Sequence, residues 1–410
     1  MIKRRRYLDF LKTWREKQVI KVVTGVRRCG KSTLFLQYIE DCRTAGIQED
    51  QFIYINLEDL SNEELLDYHK LNQYILERLV KSGYSYVFLD EVQKCQGFEK
   101  VVDSLHLLKN VDVYITGSNS TLLSGELATF LSGRYIQIEM LPLSFAEFVS
   151  SRDPAEPLRE SFNRYLTFGS FPYLTQLPDN RTIYNTYLEG IYNTILVKDV
   201  AAREGITDVS LLEDITRFLC SNIGSPVSAK RISGMINSSG RSISVNTVEK
   251  YVRALTESYF FYKTDRYDIK GGNLLKTLSK YYIADTGLRN FLLASESPEI
   301  GHLIENIVYL ELKRRNFRVN VGKMSENEID FVAMGDDRVE YYQVAASVLN
   351  SETLSRELLP FRKIPDNYPK FLLTLDDIPA YANHQGVKQI YLLDWLLQES
   401  DKLSDLSFKH

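Results

Sequence analysis

The run Gly25-Val26-Arg27-Arg28-Cys29-Gly30-Lys31-Ser32 constrains this chain more than any other feature. It matches G-x-x-x-x-G-K-[ST] at every fixed position. An apolar run, Val19-Ile20-Lys21-Val22-Val23-Thr24, precedes it and reads as a buried strand. Thr33-Leu34-Phe35-Leu36-Gln37-Tyr38-Ile39 follows with helical spacing. Strand, glycine loop, helix is the order a phosphate-binding loop needs. Backbone N–H groups of the loop and of the helix N-terminus then form a nest for an anion. The expected nucleotide-binding set is Gly25, Val26, Arg27, Arg28, Cys29, Gly30, Lys31, Ser32 and Thr33. Lys31 is expected at the β- and γ-phosphates and Ser32 on Mg²⁺. The competing reading is a chance match in a surface loop.

Composition narrows the class. At 410 residues the chain has room for two or three domains. Its charged fraction of 25% and hydrophobic fraction of 44% are those of an ordinary globular protein. A net charge of −4 leaves no global basic field for nucleic acid or acidic membranes, so any such contact needs a local patch. Cys29, Cys42, Cys95 and Cys220 have no paired or metal-like spacing, which suits a reducing, cytoplasmic compartment. No apolar run has the length of a membrane span, so no membrane partner is expected.

A second apolar run ends in acid, Tyr86-Val87-Phe88-Leu89-Asp90-Glu91. This is the Walker B pattern. Asp90 at the strand tip is expected to hold the Mg²⁺ shell, and Glu91 to act as general base on water. Phe52-Ile53-Tyr54-Ile55-Asn56-Leu57 reads as a strand between the two motifs. Val111-Asp112-Val113-Tyr114-Ile115-Thr116 reads as a strand after them and ends in Gly117-Ser118-Asn119-Ser120. ATPases with an additional central strand keep a γ-phosphate sensor at such a tip. Asn119 or Ser118 fits, and Asn119 is entered as the catalytic candidate. A serine-rich N-cap for a helix starting near Thr121 is the plainer reading, and both can hold. Leu131-Ser132-Gly133-Arg134 then leads into the strand Tyr135-Ile136-Gln137-Ile138-Glu139. Arg134 stands where AAA+ ATPases carry an arginine finger for the neighbouring subunit's ATP. The alternative is a surface ion pair.

These motifs, with Leu89-Asp90-Glu91-Val92-Gln93, Thr116-Gly117-Ser118-Asn119 and Leu141-Pro142-Leu143-Ser144-Phe145-Ala146-Glu147-Phe148, resemble one group. It is the prokaryotic AAA+-like P-loop ATPases with a fused C-terminal domain of unknown function and restriction-endonuclease-like fold. Gly169-Ser170-Phe171-Pro172, Lys280–Leu288 and Glu305–Leu312 look like its later landmarks, so the resemblance covers nearly the whole chain. It implies an α/β fold: a P-loop AAA+-type parallel sheet at 1–142, a helical lid at 143–208, a winged helix at 209–296 and a nuclease-like domain at 297–410. Lid helices in such proteins often lend a cation to the nucleotide. Arg164, Lys198 and Arg203 are the candidates, unranked.

Three amphipathic stretches, Leu211–Leu219, Ser228–Ile236 and Ser244–Leu255, precede strand-like Tyr259–Thr264 and Lys280–Ala284. Three helices and a hairpin make a winged helix. Lys230, Arg231, Arg241, Lys250 and Arg253 outnumber two acids there. Ser244, Asn246, Thr247 and Lys250 are the residues expected to face DNA if this module reads a groove. Packing between subunits or against protein is the other reading.

In the last segment, a helix carrying Glu305 and Glu311 precedes strands at Arg318–Val321, Glu328–Ala333 and Val339–Ala345. This is the layout of restriction-type nucleases, which need a carboxylate and then Glu-x-Lys one strand later. Asp330 is present, but Glu-x-Lys has become Gln343-x-Ala345. The amide is a poor metal ligand and alanine carries no charge. A retained fold without nuclease activity is expected, with a migrated lysine such as Lys323 as the alternative. The function expected is ATP hydrolysis with Mg²⁺ that drives remodelling or assembly of a protein or DNA partner. Lys31, Glu91, Asn119 and Arg134 are catalytic, Ser32 and Asp90 hold the metal, and the assembly is a homo-oligomer. Alternatives are an ATP-gated binding switch with little turnover, or an ATP-driven nuclease.

Overall fold

Five strands carry the first unit, and all run parallel. They are β1 (Ile20–Thr24), β2 (Phe52–Asn56), β3 (Ser85–Asp90), β4 (Val111–Gly117) and β5 (Tyr135–Glu139), in the order β2-β3-β4-β1-β5. The computed structural model describes residues 2–120, 133–294, 299–324, 326–378 and 382–398. The chain divides into a unit up to Leu141, together with Glu257–Tyr259, and a unit formed by Pro142–Thr256 and the chain from Phe260.

β1 and β3 are buried along their whole length. That is why they read as continuous apolar runs rather than as alternating ones: a parallel sheet is covered on both faces. Helices α1 (Arg5–Thr13), α2 (Lys31–Thr44), α3 (Tyr68–Leu76) and α4 (Phe98–His106) supply the cover. Leu71 and Ile75 of α3 and Phe98, Val101, Val102 and Leu105 of α4 pack with Val22, Ile55, Val87, Leu89 and Ile115. In the opposite sense along the strands, Phe35 and Tyr38 of α2 meet Phe88 and Tyr114, whose rings stack at 4.6 Å. Aromatic pairs of this kind add about 0.5–1.5 kcal/mol beyond their buried area.

The sheet also buries an ion pair. Lys21 of β1 is bonded to Asp112 of β4, both side chains fully buried. The ammonium also donates to the Lys17 carbonyl at 2.9 Å. Asp112 accepts from the Glu16 N–H and the Tyr114 hydroxyl as well. Removing one member strands a charge in a site built for two. Lys21→Ala should therefore lower unfolding free energy by about 3–5 kcal/mol, whereas Lys21→Met combined with Asp112→Leu should cost much less. Urea unfolding followed by circular dichroism is the check. Equal losses in the two variants would mean that the pair is not the source.

The second unit begins helical, as its sequence suggests, with Phe145–Val149, α5 (Leu158–Phe168), α6 (Arg181–Asn193) and a π-helical turn at Thr194–Ala201. Then come α7 (Val209–Ser221), β6 (Pro226–Val227), α8 (Ala229–Ser238), α9 (Val245–Glu257), β7 (Phe261–Asp268) and β8 (Asn273–Ile283). The hairpin is longer than Tyr259–Thr264 and Lys280–Ala284 suggest. Its outer half mixes charged residues with exposed leucines, Leu274 and Leu278, so no buried-face alternation marks it. α10 (Thr286–Leu293), α11 (Ile300–Arg314), β9 (Arg318–Met324), β10 (Asn327–Met334), β11 (Val339–Ala345), α12 (Ser351–Leu358), β12 (Lys370–Thr374), β13 (Asn383–His384) and β14 (Val387–Tyr391) complete it. One nine-stranded mixed sheet runs β13-β14-β12-β11-β10-β9-β7-β8-β6. β7 pairs with β9 in parallel through Arg266–Asp268, so the hairpin expected within 209–296 and the strands expected within 297–410 share one sheet.

The later sequence landmarks are where this unit is tied together. Asp285 accepts from the Ser170 N–H at 2.6 Å, the Ser170 hydroxyl at 2.9 Å and the Leu288 N–H at 3.2 Å, capping α10. Burial pushes its carboxyl up to about 6 against those donors. Gly287 is required because a Cβ there would stand 2.1 Å from the Phe168 carbonyl oxygen. Asn306 of α11 uses its side-chain amide as both acceptor and donor to the backbone of Ile283. Glu311 lies between Arg314 at 2.6 Å and Arg315 at 2.9 Å.

Candidate functional site

β1 delivers the chain into the glycine loop. Gly25 has φ +143°, and a Cβ at that position would meet the Met140 carbonyl oxygen at 2.1 Å. Only glycine satisfies both conditions. α2 starts at Lys31 directly after Gly30, which is left-handed. Lys31 is 4% exposed. Its ammonium folds back to donate to the carbonyls of Gly25 at 3.0 Å and Val26 at 3.3 Å, and lies 3.5 Å from a Glu91 oxygen. Burial pulls the ammonium toward neutrality, but Glu91 and Asp90 outweigh it and hold Lys31 charged.

The strand order explains the rest. β4 lies between β3 and β1, so its tip stands beside the carboxylates of β3. The Thr116 hydroxyl donates to Asp90 and accepts from the Glu91 N–H at 2.9 Å. Tyr54 of β2 donates to the other Asp90 oxygen at 3.1 Å. Burial raises the Asp90 carboxyl, while hydrogen bonds from Ser32 and Thr116 pull it down. Ser32, at the start of α2, is thus close enough to Asp90 to favour its charged form. Glu91 has a left-handed backbone, φ 55°, which turns its side chain away from the strand's alternation. One of its oxygens accepts from Gln93 at 2.5 Å and from the Ser118 hydroxyl at 3.2 Å. Burial pushes Glu91 up, but Lys31 and Arg27 overcome it and leave the group below its ordinary range.

Asn119 is buried at the β4 tip beside Ser118. Arg27 is buried in the loop and pairs with Glu58 at 2.7 Å. Cys29 is buried, and its thiol is pushed up by that burial. Arg134 lies elsewhere. It precedes β5, and β5 runs parallel to β1 in the register Ile20 with Tyr135 and Thr24 with Glu139. The loop leaves β1 after Thr24, so Arg134 sits at the opposite, N-terminal end of the strands, about 16 Å away along them. Its side chain is half-exposed and pairs with Asp103 at 2.6 Å. Leu131, Ser132 and the helix expected from Thr121 lie outside the described residues.

Sequence reasoning missed Tyr54, Thr116, Gln93, Glu58 and the role of Ser118 at Glu91. Thr116, Ser118 and Glu58 lie within two residues of a strand tip, Gln93 three residues beyond one, and Tyr54 in the middle of β2. The signal was available only to a reader who placed β4 between β3 and β1.

In the second unit, Arg164 is occupied by Glu156, Glu160 and Asp179. Arg203 pairs with Glu204, and Lys198 is exposed on the π-helical turn. On α9, Ser244, Asn246 and Lys250 are exposed, but the Lys250 ammonium donates to the Glu204 carbonyl at 2.8 Å. Arg241 pairs with Asp214 at 2.9 Å. Asp330 of β10 accepts from the Val344 N–H at 2.9 Å. Gln343 bridges the Asp330 N–H, at 3.2 Å, and Glu357, at 2.9 Å. Ala345 is in the apolar core. The cation that meets the carboxylates is Lys280 of β8, not Lys323. It contacts Glu305 at 3.1 Å and Glu328 at 3.0 Å, and Tyr282 donates to the same Glu305 oxygen. Burial and the neighbouring Glu305 charge raise the Asp330 carboxyl well above its usual range.

Comparison with known proteins fits the first unit. Residues 17–149 match a family described as an AAA domain, and residues 159–299 match a domain of unknown function (DUF8612). An uncharacterized protein of Haemophilus influenzae is 37% identical over 402 residues, covering 97% of this chain and 99% of its own. The chain belongs to that protein's family, one that carries an AAA-type P-loop domain. An uncharacterized protein of Methanocaldococcus jannaschii is 32% identical, covering 84% of this chain and 78% of its own. Among solved structures, a Walker-type ATPase of Pyrococcus abyssi aligns with a TM-score of 0.46 at 16% identity, over 72% of this chain and 96% of that one. The Aeropyrum pernix ORC1 protein in complex with DNA aligns with a TM-score of 0.29 at 12% identity, over 71% of this chain and 91% of that one. The domain of unknown function spans segments expected as lid and winged helix, and it names neither a nuclease nor a DNA reader. Among the described residues no helix is long and apolar enough to cross a membrane.

Proposed function

We propose that this family member is a Mg²⁺-dependent ATPase of the AAA+ kind that works as an oligomer. The observation that carries the reading is the pairing of Lys31 with Glu91, with Asp90 and Ser32 beside them, at the C-terminal ends of the parallel strands of a β2-β3-β4-β1-β5 sheet. Two of these residues fit a divalent ion, since the Ser32 hydroxyl and the Asp90 carboxylate are the hard oxygen donors that a small hard cation takes. Mg²⁺ bound there would neutralise charge on the β- and γ-phosphate oxygens. Lys31 would exchange its bonds to Glu91 and two carbonyls for phosphate oxygens. Glu91, released from Lys31, would take the proton of the attacking water, oriented by Ser118 and Gln93, with Asn119 beside them at the γ-phosphate. Thr116 and Tyr54 would hold Asp90 in place. Arg134, at the far end of the strands from its own loop, would serve the ATP of an adjacent subunit.

The element order α7-β6-α8-α9-β7-β8 supports a winged helix, and a helical lid at 143–208 and a nuclease-like sheet at 297–410 remain part of the proposal. Lys250 of α9 and Arg241 just before it engage acceptors of their own unit, which favours a protein partner over DNA as the remodelled substrate. Asp330 has Gln343 and Ala345 where a nuclease needs Glu and Lys. Purified protein with Mg²⁺ or Mn²⁺ should therefore leave plasmid DNA intact. Cleavage that disappears in Asp330→Ala would make the protein an ATP-driven nuclease.

A second reading, an ATP-gated switch with slow turnover, is favoured by one observation. Glu91 is held by Lys31, Gln93 and Ser118 together and its basicity is lowered. Steady-state phosphate release with and without DNA or partner protein separates the two. A rate stimulated by a partner supports the motor reading, and a slow rate that nothing changes supports the switch.

A further inference from the structure

Three residues of the phosphate loop have a positive φ: Gly25 at +143°, Arg28 at +68° and Gly30 at +107°. The two glycines take that conformation without steric cost. Arg28 does not. A left-handed backbone crowds any Cβ, and the residues that tolerate it, asparagine and aspartate, offset the cost with a local hydrogen bond. The loop itself imposes the conformation. The Cys29 carbonyl accepts from the Arg4 guanidinium at 3.1 Å, the Cys29 N–H donates to the Val26 carbonyl at 3.3 Å, and Gly25 lies against the Met140 carbonyl. That pinning accounts for a left-handed turn at position 28, since strain persists where the surroundings over-determine it. It does not account for an arginine there, because glycine fits the same turn without strain. Nor does the Arg28 side chain offset the strain locally. It is exposed, and among the described residues it makes no hydrogen bond and no ion pair.

Strain without local compensation, in a loop built to hold phosphate, points to a ligand for the side chain. The chemistry of that ligand follows from what the loop already supplies. Its backbone N–H groups cradle the α- and β-phosphates, which leaves the γ-phosphate to side chains. The γ-phosphate carries the largest charge, and its oxygens match the planar fork of arginine. Arg28 stands on the loop, so its side chain needs no second subunit to reach a phosphate that the loop holds. We propose that Arg28 is a phosphate clamp in cis: its guanidinium folds over the loop onto the γ-phosphate of the ATP bound there. The inference rests on the ATPase reading above and adds to it a residue that separates ATP from ADP. Two arginines then divide the work, Arg28 binding substrate within its own subunit and Arg134 serving hydrolysis in the neighbour.

Glycine is the substitution that tests this, because the left-handed turn favours it. Arg28→Gly should keep the loop and remove only the side chain, so its melting temperature by circular dichroism should not fall. Calorimetry with Mg²⁺ then compares ATP with ADP. Arg28→Gly should weaken ATP by about 10–10²-fold, the range of a lost hydrogen bond between charged groups, with ADP within a few-fold of the unmodified chain. Arg28→Lys keeps the charge, loses the fork and should fall between the two. An arginine that is only a solvated surface residue predicts unchanged or tighter ATP in Arg28→Gly, since strain is relieved, and that result overturns the proposal. So does an equal loss for ATP and ADP, which would mean that the residue only shapes the loop. Should Arg28→Gly fail to fold, the ATP-to-ADP preference of Arg28→Lys decides in its place: a lowered preference supports the clamp, and an unchanged one overturns it. Tight ATP binding restored by mixing Arg28→Gly with Lys31→Ala subunits would place the arginine in trans and refute the cis role. An unmodified chain that binds neither nucleotide refutes the ATPase reading itself, an outcome distinct from all of these.

Discussion

Lys31→Ala is expected to abolish measurable ATP binding, while Glu91→Gln keeps it and loses hydrolysis. The contrast comes from where the two charges sit. Lys31 is buried against the loop carbonyls and is the closest cation that phosphate oxygens can recruit. Its loss should weaken ATP by at least about 10²-fold, or roughly 2.7 kcal/mol. Glu91→Gln leaves Ser32 and Asp90 in place and removes a base, so turnover should fall by about 10²–10⁴-fold with ATP affinity within a few-fold of unmodified. The amide also ends the ion pair with Lys31, which frees the ammonium for phosphate. Calorimetry with a single-turnover assay reads both. Unchanged affinity in Lys31→Ala would remove the phosphate-loop assignment, and rapid turnover in Glu91→Gln would remove the base from Glu91.

Arg134→Ala is expected to bind ATP normally and to lose turnover by about 10³-fold or more, with the defect expressed in the neighbouring subunit. The register of β5 on β1 puts Arg134 at the end of the strands away from its own loop, so an action in cis has no route. Mixing Arg134→Ala with Lys31→Ala subunits should restore part of the activity. The first supplies an intact nucleotide site and the second an intact arginine. The Asp103 pair at 2.6 Å is exposed enough to contribute little stability, so releasing it in an assembly costs little. If mixed oligomers form and no ratio recovers turnover, Arg134 is only the partner of Asp103.

Local chemistry was legible without the fold. Gly25–Ser32 must be contiguous to wrap an anion, and Asp90-Glu91 must sit at a strand tip to reach it, so both appear as short motifs. β1 and β3 were readable because a parallel strand covered on both faces is a nearly unbroken apolar run, and the edge strands β2 and β5 because their buried residues alternate with partly exposed ones. The matching landmarks in the second half were visible as motifs but not as contacts. Ser170 and Asp285 are 115 residues apart and meet at one cap, and Lys280 and Glu305 are 25 apart and meet inside the sheet's cover.

What the sequence by itself determined is the phosphate loop, the acidic tip of β3, the AAA character of the first unit, and the presence of Gln343 and Ala345 on β11. Each depends on residue identity at fixed short spacing. What only the tertiary structure decided is which side chains surround those residues. The crossover that inserts β4 between β3 and β1 brings Thr116 and Ser118 to Asp90 and Glu91, and the end of β2 brings Glu58 to Arg27. The parallel pairing of β7 with β9 merges two expected domains into one sheet, and Lys280 rather than Lys323 meets the carboxylates. Lateral strand order and register are settled by the burial of whole faces, an energy summed over many residues, and no short motif records that sum.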